Sequence, residues 1–305
     1  MLGHTGLVGS AFVDALERER HVVLVPRRRV NLENVYDTHR LIGNRRPEWV
    51  VLAAARVGGI GANLDEAAQM ILCNSRIQNN VLEAAAACGS VRRFLFLGSS
   101  CLYPRTASAE RFVEDDLGYG PLEPSNKGYA LAKLLGIELC RAYASETLQP
   151  IVLMPPNLHG RPERDNYDPT RSHVLQALIK RIYEAKLNRA DSVTVWGDGA
   201  PLREFMRAEE VARVGVRLLE AGKLDHLVYN VGHGYDASVA ALARRIASRL
   251  DYRGMLRFDG DLTRNGVAHK TMDCTRLRKA IGWAPSQSMF DEIDQTIDEY
   301  LDVPR

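Results

Sequence analysis

The sequence predicts an α/β protein: a doubly wound parallel sheet followed by a smaller C-terminal α/β lobe. Three observations predict it. Short, nearly continuous apolar runs alternate with longer helical patterns through the first half, as strands covered on both faces by crossover helices do. A glycine-spaced turn, Gly3-His4-Thr5-Gly6-Leu7-Val8-Gly9, opens onto a helical pattern. After Met154 the alternation breaks at Pro155-Pro156-Asn157, and a second series of elements begins.

In chain order, the strands are predicted at 22–25, 49–53, 94–97 and 151–154. The helices between them are predicted at 10–20, 35–45, 66–88 and 128–145. A polar, proline-bearing loop then leads to a helix at 173–185, a strand at 193–196 and a turn at Gly197-Asp198-Gly199. A helix at 208–221 and a strand at 227–231 return to the sheet. We therefore expect residues 1–160, with the return segment near 208–235, to form a Rossmann-type dinucleotide-binding domain. Residues 161–305 are expected to form a substrate-binding lobe over the carboxyl ends of the strands, where open α/β sheets bind ligands.

The bulk numbers exclude several classes. At 305 residues, 46% hydrophobic and 26% charged, the chain matches ordinary globular proteins rather than disordered or fibrous ones. A net charge of +2 supplies no broad basic field for nucleic acid. No apolar run approaches the roughly 20 residues of a bilayer span, and the N-terminus lacks a signal-peptide pattern. Five cysteines without C-x-x-C spacing imply free thiols in a reducing compartment and no metal. The expectation is a cytoplasmic protein with neither nucleic-acid nor membrane partners.

The G-x-x-G-x-x-G spacing lets backbone approach a pyrophosphate at a helix N-terminus; a plain glycine-rich turn is the alternative. The motif needs a strand before it, yet only Met1 and Leu2 precede Gly3. The first strand is therefore expected to be truncated, from a misplaced start or from a fold that lacks it; we expect the former. After the strand at 22–25, NAD enzymes place an acidic residue for the ribose 2′-hydroxyl. Here the sequence is Pro26-Arg27-Arg28-Arg29. Three cations suit a 2′-phosphate, so the cofactor is predicted to be NADP(H), with Arg27 and Arg29 as contacts; a solvated basic turn is the alternative.

Leu97-Gly98-Ser99-Ser100 sits where a parallel strand ends. Tyr129 and Lys133 stand at i and i+4, on one helix face. An ammonium beside a phenol is expected to lower the phenol's pKa and make it a usable acid/base. A serine hydroxyl at the strand end can hold a carbonyl or alkoxide oxygen. These residues predict an oxidoreductase whose proton chemistry is carried by Ser99, Tyr129 and Lys133.

This constellation resembles the extended short-chain dehydrogenase/reductases, which act mostly on nucleotide sugars. The segments Ala53-Ala54-Ala55-Arg56-Val57-Gly58-Gly59-Ile60, Gly98-Ser99-Ser100-Cys101-Leu102-Tyr103-Pro104, Met154-Pro155-Pro156-Asn157-Leu158 and Ser172-His173-Val174 narrow it, as do Val195-Trp196-Gly197 and Arg203-Glu204-Phe205. They resemble the GDP-L-fucose synthase family over nearly the whole chain. The resemblance implies NADPH-dependent epimerisation at C3 and C5 and reduction at C4 of GDP-4-keto-6-deoxy-mannose. It implies Cys101 and His173 as the acid/base pair of epimerisation, beside Ser99, Tyr129 and Lys133. It implies cofactor contacts from residues 3 to 9, Leu97, Gly98, Ser99, Ser100, Lys133, Pro155, Pro156, Asn157, Leu158 and His173. Arg181, Trp196, Arg203 and Lys270 match its substrate-binding positions, and a homodimer through the helices at 66–88 and 128–145 is implied. On residue type alone, Cys101 reads more readily as an inert core thiol and His173 as a structural residue, Trp196 as a buried ring, and Arg93 as solvated surface.

The chain departs from the family's pattern at several positions. Asn126-Lys127-Gly128 precedes Tyr129 where an acidic residue and proline are usual. Pro156 replaces a threonine, His159 a tyrosine, and Thr263-Arg264-Asn265-Gly266 a Lys-Pro-Asp-Gly segment. A 4-epimerase or 4,6-dehydratase of the same fold is the nearest alternative, but needs neither Cys101 nor His173 in these roles. A non-catalytic NADP-binding regulator is a third; such proteins typically lose the tyrosine or lysine retained here.

Overall fold

The structure, a computed structural model, describes residues 1–26, 28, 30–105, 111–160 and 174–302. The first half runs α1 (Leu7–Arg18), α2 (Val35–Arg45), β1 (Trp49–Leu52), α3 (Ile60–Asp65), α4 (Ala67–Cys88), β2 (Arg93–Leu97), α5 (Lys127–Tyr143) and β3 (Gln149–Met154). It continues through β4 (Asn157–His159), α6 (Val174–Leu187), β5 (Ser192–Val195), β6 (Leu202–Arg203), β7 (Phe205–Arg207), α7 (Ala208–Glu220) and β8 (Val228–Asn230). The chain closes with β9 (Ala237–Ser238), α8 (Val239–Arg249), β10 (Met255–Phe258), α9 (Thr275–Ile281) and α10 (Met289–Asp302).

Strands β1, β2, β3 and β8 form a parallel sheet in that order. Successive side chains point to opposite faces, and both faces are covered. Val50, Leu52, Phe94, Phe96 and Val152 pack with Val81 and Leu82 of α4 and Ala130 and Ile137 of α5. Val51, Leu95, Ile151 and Leu153 pack with Phe12 of α1 and Val211, Val214 and Leu218 of α7. This is the predicted doubly wound sheet. A third core lies in the second half, where Leu178 and Ile182 of α6, Val193 and Val195 of β5, Leu242 and Ile246 of α8 and Ile293 and Ile297 of α10 meet. The short pairs β4–β7 and β6–β9 connect the two parts beside the carboxyl ends of the large sheet's strands. No helix among the described residues is long and apolar enough to cross a membrane.

Three expectations are corrected. The segment 22–25 runs without joining a ladder. Met1 and Leu2 lie beside it. Leu2 makes one parallel bridge to Leu52, donating to the Val51 carbonyl at 2.9 Å and accepting from Ala53 at 2.9 Å. On its other side the Met1 amino group donates to the Leu24 carbonyl at 2.8 Å. A cavity of about 420 Å³ lies against Leu2, Leu16, Val23, Val25, Ile42 and Val50. Second, α1 begins at Leu7 rather than Ser10, with Gly6 as its N-cap, because the helix starts inside the glycine motif. Third, Arg93 is not simply solvated. It is half-buried, and its guanidinium donates at 2.7 Å to the Ala221 carbonyl just beyond α7, where free carbonyls collect.

Candidate active site

The glycine turn is shaped to receive a diphosphate. Gly3 has φ +88°, and a Cβ there would lie 2.4 Å from the Ala54 nitrogen. A Cβ on Gly9 would lie 1.8 Å from the Gly3 carbonyl oxygen. These two glycines are needed for the turn to close on itself. A Cβ on Gly6 would meet only an ordinary contact, 3.6 Å from the same oxygen. Gly6 has no side chain to cap α1. The N–H groups of Leu7, Val8 and Gly9 therefore lack intrahelical acceptors and sit at the positive end of the helix dipole, a ready anion site. His4 is half-buried and Thr5 exposed beside them. Arg27 and Arg29 lie outside the described residues; Arg28 between them is exposed.

Strand β2 delivers the next group. The Gly98 N–H donates to the Leu153 carbonyl at 2.8 Å, and a Cβ at Gly98 would strike the Met154 sulfur at 2.3 Å. The chain then turns through a single 3₁₀ turn, Ser100–Leu102. Ser99 caps it, its Oγ accepting from the Cys101 N–H at 3.2 Å. The Ser100 N–H donates to the Pro155 carbonyl at 3.0 Å, tying this turn to the end of β3. Pro155 and Pro156 are buried, Asn157 and Leu158 half-buried. Asn157 donates through its backbone and its Nδ2 to the Glu204 carbonyl, at 3.2 and 3.0 Å.

Tyr129 and Lys133 rise from the first turns of α5, which packs against the Ser100–Leu102 turn. The expected lowering of the Tyr129 phenol by Lys133 does not occur. Burial pushes the phenol above its ordinary value, and negative charge on Cys101 adds to the rise. The Lys133 ammonium, itself pulled down to about 8 by burial, donates to the Leu97 carbonyl at 2.8 Å. It sits 4.4 Å from the centre of the Phe96 ring and 6.0 Å from that of Tyr129. The pair thus holds a protonated phenol, suited to giving a proton, rather than a phenolate.

In the second half of the chain, the Arg181 guanidinium of α6 stacks 3.9 Å over the Trp196 ring. Trp196 is 41% exposed, which removes the buried-ring alternative. Arg203 donates to the Leu202 carbonyl at 2.8 Å and the Asn265 carbonyl at 2.6 Å. Burial pulls its guanidinium down to about 10, opposed by Cys101, Glu123 and Asp236. Lys270 reaches Cys101, its Nζ 3.6 Å from Sγ. The structure therefore brings together Ser99, Cys101, Tyr129, Lys133, Arg203 and Lys270. His173 lies outside the described residues, as does the loop 161–172. Cys73, Cys140 and Cys274 are buried and Cys88 half-buried, all unpaired.

Sequence reasoning missed Glu204. It is fully buried, accepting from the Gly234 and Met272 N–H groups at 2.7 Å each. Burial pushes its carboxyl up to about 8, against those backbone donors. It pins two loops beside Arg203 and Lys270. An acid flanked by Arg203 and Phe205 in a strand-like run was the available signal. Asn74 was missed too: its side chain exchanges two hydrogen bonds with the Arg56 backbone, at 2.8 and 3.0 Å, fixing the loop after β1.

Residues 1–232 match the NAD dependent epimerase/dehydratase family. The chain belongs to that family. It is 40% identical over 304 residues to a protein named putative GDP-L-fucose synthase 2 from Arabidopsis thaliana, covering 98% of this chain and 90% of that one. It is 37% identical to the GDP-L-fucose synthase of Escherichia coli, covering 98% and 95%. A solved GDP-mannoheptose C4 reductase from Campylobacter jejuni with NADP bound superposes with a TM-score of 0.86 at 26% identity, covering 98% and 96%.

Proposed function

We propose that this family member is a GDP-L-fucose synthase, converting GDP-4-keto-6-deoxy-mannose to GDP-L-fucose with NADPH. One observation carries the reading beyond the family: Cys101 sits in the turn that Ser99 caps, with its sulfur 3.6 Å from the Lys270 Nζ. A plain ketone reductase needs no thiol there. The relatives' names and the NADP-bound neighbour support substrate and cofactor.

The residues divide the work. NADPH, when bound, supplies the hydride for C4. The amides of Leu7, Val8 and Gly9 would hold its diphosphate, Arg27 and Arg29 its 2′-phosphate and Lys133 its ribose, with Leu97 to Ser100 and Pro155 to Leu158 available to the nicotinamide. Ser99 and Tyr129 donate to the C4 oxygen. While that oxygen carries enolate charge, Cys101 and His173 exchange protons at C3 and C5 from opposite faces. Tyr129, held protonated by burial, then gives its proton to the C4 alkoxide. Arg181, Trp196, Arg203 and Lys270 receive the nucleotide diphosphate and sugar.

The same reading gives residues 1–160 with 208–235 the cofactor and 161–305 the substrate, in a cytoplasmic homodimer. Exposed Ile71 and Leu72 on α4 and Leu131 and Leu135 on α5 supply an apolar face for the partner copy. The test is to mix purified protein, NADPH and GDP-4-keto-6-deoxy-mannose and follow NADPH oxidation together with sugar product. GDP-L-fucose is expected. Absence of turnover, or a product reduced at C4 without inversion at C3 and C5, overturns the reading.

A further inference from the structure

In the proposed reaction Cys101 abstracts a proton, and a thiol does so only as thiolate. Negative charge must then be held on the sulfur before substrate arrives. Two cations face it. Arg203 commits N–H groups to the Leu202 and Asn265 carbonyls and contributes field. Lys270 donates directly, with Nζ 3.6 Å from Sγ.

That approach is built into the backbone on both sides. The Leu202 N–H donates to the Ala268 carbonyl at 2.8 Å, the Phe112 N–H to the Thr271 carbonyl at 2.7 Å, and the Met272 N–H to Glu204 at 2.7 Å. His269 pairs with Asp236 at 2.6 Å, and the Thr271 hydroxyl donates to the same carboxylate. Residues 268–272 are thus tied at both flanks of Lys270. Across the gap, Ser99 holds the Cys101 N–H through its Oγ and the Leu102 N–H through its carbonyl, at 3.2 and 3.1 Å. Two fixed segments face one another, and the lysine side chain spans them.

We infer that Lys270 is a positioning residue for proton abstraction: its ammonium holds the Cys101 sulfur as a thiolate aimed at the sugar. This rests on the proposed function and adds to it, since the family resemblance gives Lys270 only a substrate contact. In the step, a C–H bond beside the C4 ketone breaks, its proton forms S–H on Cys101, and its electron pair moves to the C4 oxygen. Reprotonation of the carbon comes from the opposite face. Cys101 then returns its proton to solvent and the ion pair re-forms, with Lys270 protonated throughout.

The experiment needs no substrate. Alkylation of Cys101 by iodoacetamide is followed peptide by peptide in the wild-type protein, Lys270→Met and Lys270→Arg. At pH 7, Lys270→Met is expected to slow the reaction about tenfold, with the difference closing by about pH 10, above the ordinary thiol range; Lys270→Arg is expected to stay within about threefold of wild type. NADPH binding confirms folding, and Lys270→Gln replaces the methionine variant if that fails to fold. An unchanged alkylation rate at pH 7 in a folded charge-removing variant overturns the inference and leaves Lys270 a substrate contact. Failure of wild-type turnover would overturn the proposed function instead, because the alkylation rate does not depend on it.

Discussion

At the carboxyl end of β2 every turn is tied more than once. Ser99 binds two amides, Ser100 reaches across to Pro155, and Lys133 closes on the Leu97 carbonyl. At the opposite side of the cofactor cradle, residues 21–26 join no ladder, border a cavity of about 420 Å³ and leave Val22 88% exposed. The two regions serve one site with different tolerances. Proton transfer needs atoms held within a fraction of an ångström. A diphosphate can be gripped by a helix end whose amides point correctly whatever the neighbouring edge does. The contrast predicts that substitutions in the tied region change which reaction occurs, whereas those in the cradle change affinity and stability.

The largest expected effect lies in the tied region. Cys101→Ser should lower solvent-deuterium exchange at C3 and C5 by about 10³-fold, the scale of a lost general base. Reduction of the ketone should fall far less, by about tenfold, since Tyr129 and Lys133 remain. Tyr129→Phe should reverse the pattern, cutting reduction while exchange persists. Mass spectrometry of product sugars from deuterated buffer separates the two. Equal losses of both activities in Cys101→Ser would break the division of labour drawn between the thiol and the phenol.

In the cradle the comparison narrows to two glycines three residues apart. Gly9→Ala places a methyl 1.8 Å from the Gly3 carbonyl, inside any contact distance, and the backbone must move to relieve it. We expect a loss of about 3 kcal/mol, at the upper end for overpacking, and loss of NADPH binding. Gly6→Ala meets only a 3.6 Å contact and should cost about 1 kcal/mol or less, the scale of replacing an N-cap glycine. Thermal unfolding and NADPH titration measure both. Similar costs at the two positions would mean that the turn is held by something other than the Gly3–Gly9 approach.

The same contrast governs how much was legible in the sequence. The doubly wound sheet was, because continuous apolar runs between helical patterns have few other folded solutions. Ser99, Tyr129 and Lys133 were, because i, i+4 spacing and a strand end fix their places locally. The strand at 22–25 misled because pairing is not local: Val22 to Val25 have strand composition, but composition does not supply a ladder partner, and the segment joins none. The Tyr129 phenol misled for a related reason. Helical spacing places Lys133 one turn away, but burial and the Leu97 carbonyl decide what its ammonium does. Glu204 escaped because its partners, Gly234 and Met272, are 30 and 68 residues distant.

The smallest expected effect at neutral pH comes from His159, which stands at the junction of β4, β7 and α10. The ring is fully buried, and its Nδ1 shares a hydrogen bond with the Thr296 hydroxyl at 2.9 Å. Burial pulls its pKa down to about 3, and the nearby Arg207 and His233 pull the same way. Below pH about 6.5 the unfolded chain binds a proton here that the folded chain refuses. Stability from this group is therefore complete above pH 6.5 and falls by about 1.4 kcal/mol per unit as pH drops towards 3. In His159→Phe that loss is absent, and Arg207 still donates to the Thr296 hydroxyl at 3.3 Å. The variant should be about 1 kcal/mol less stable than wild type at pH 8, for the lost hydrogen bond, and more stable by pH 5. Urea denaturation across that range tests it: curves that stay parallel would mean that His159 accepts its proton in the folded state, and that the β4–β7–α10 junction opens to water.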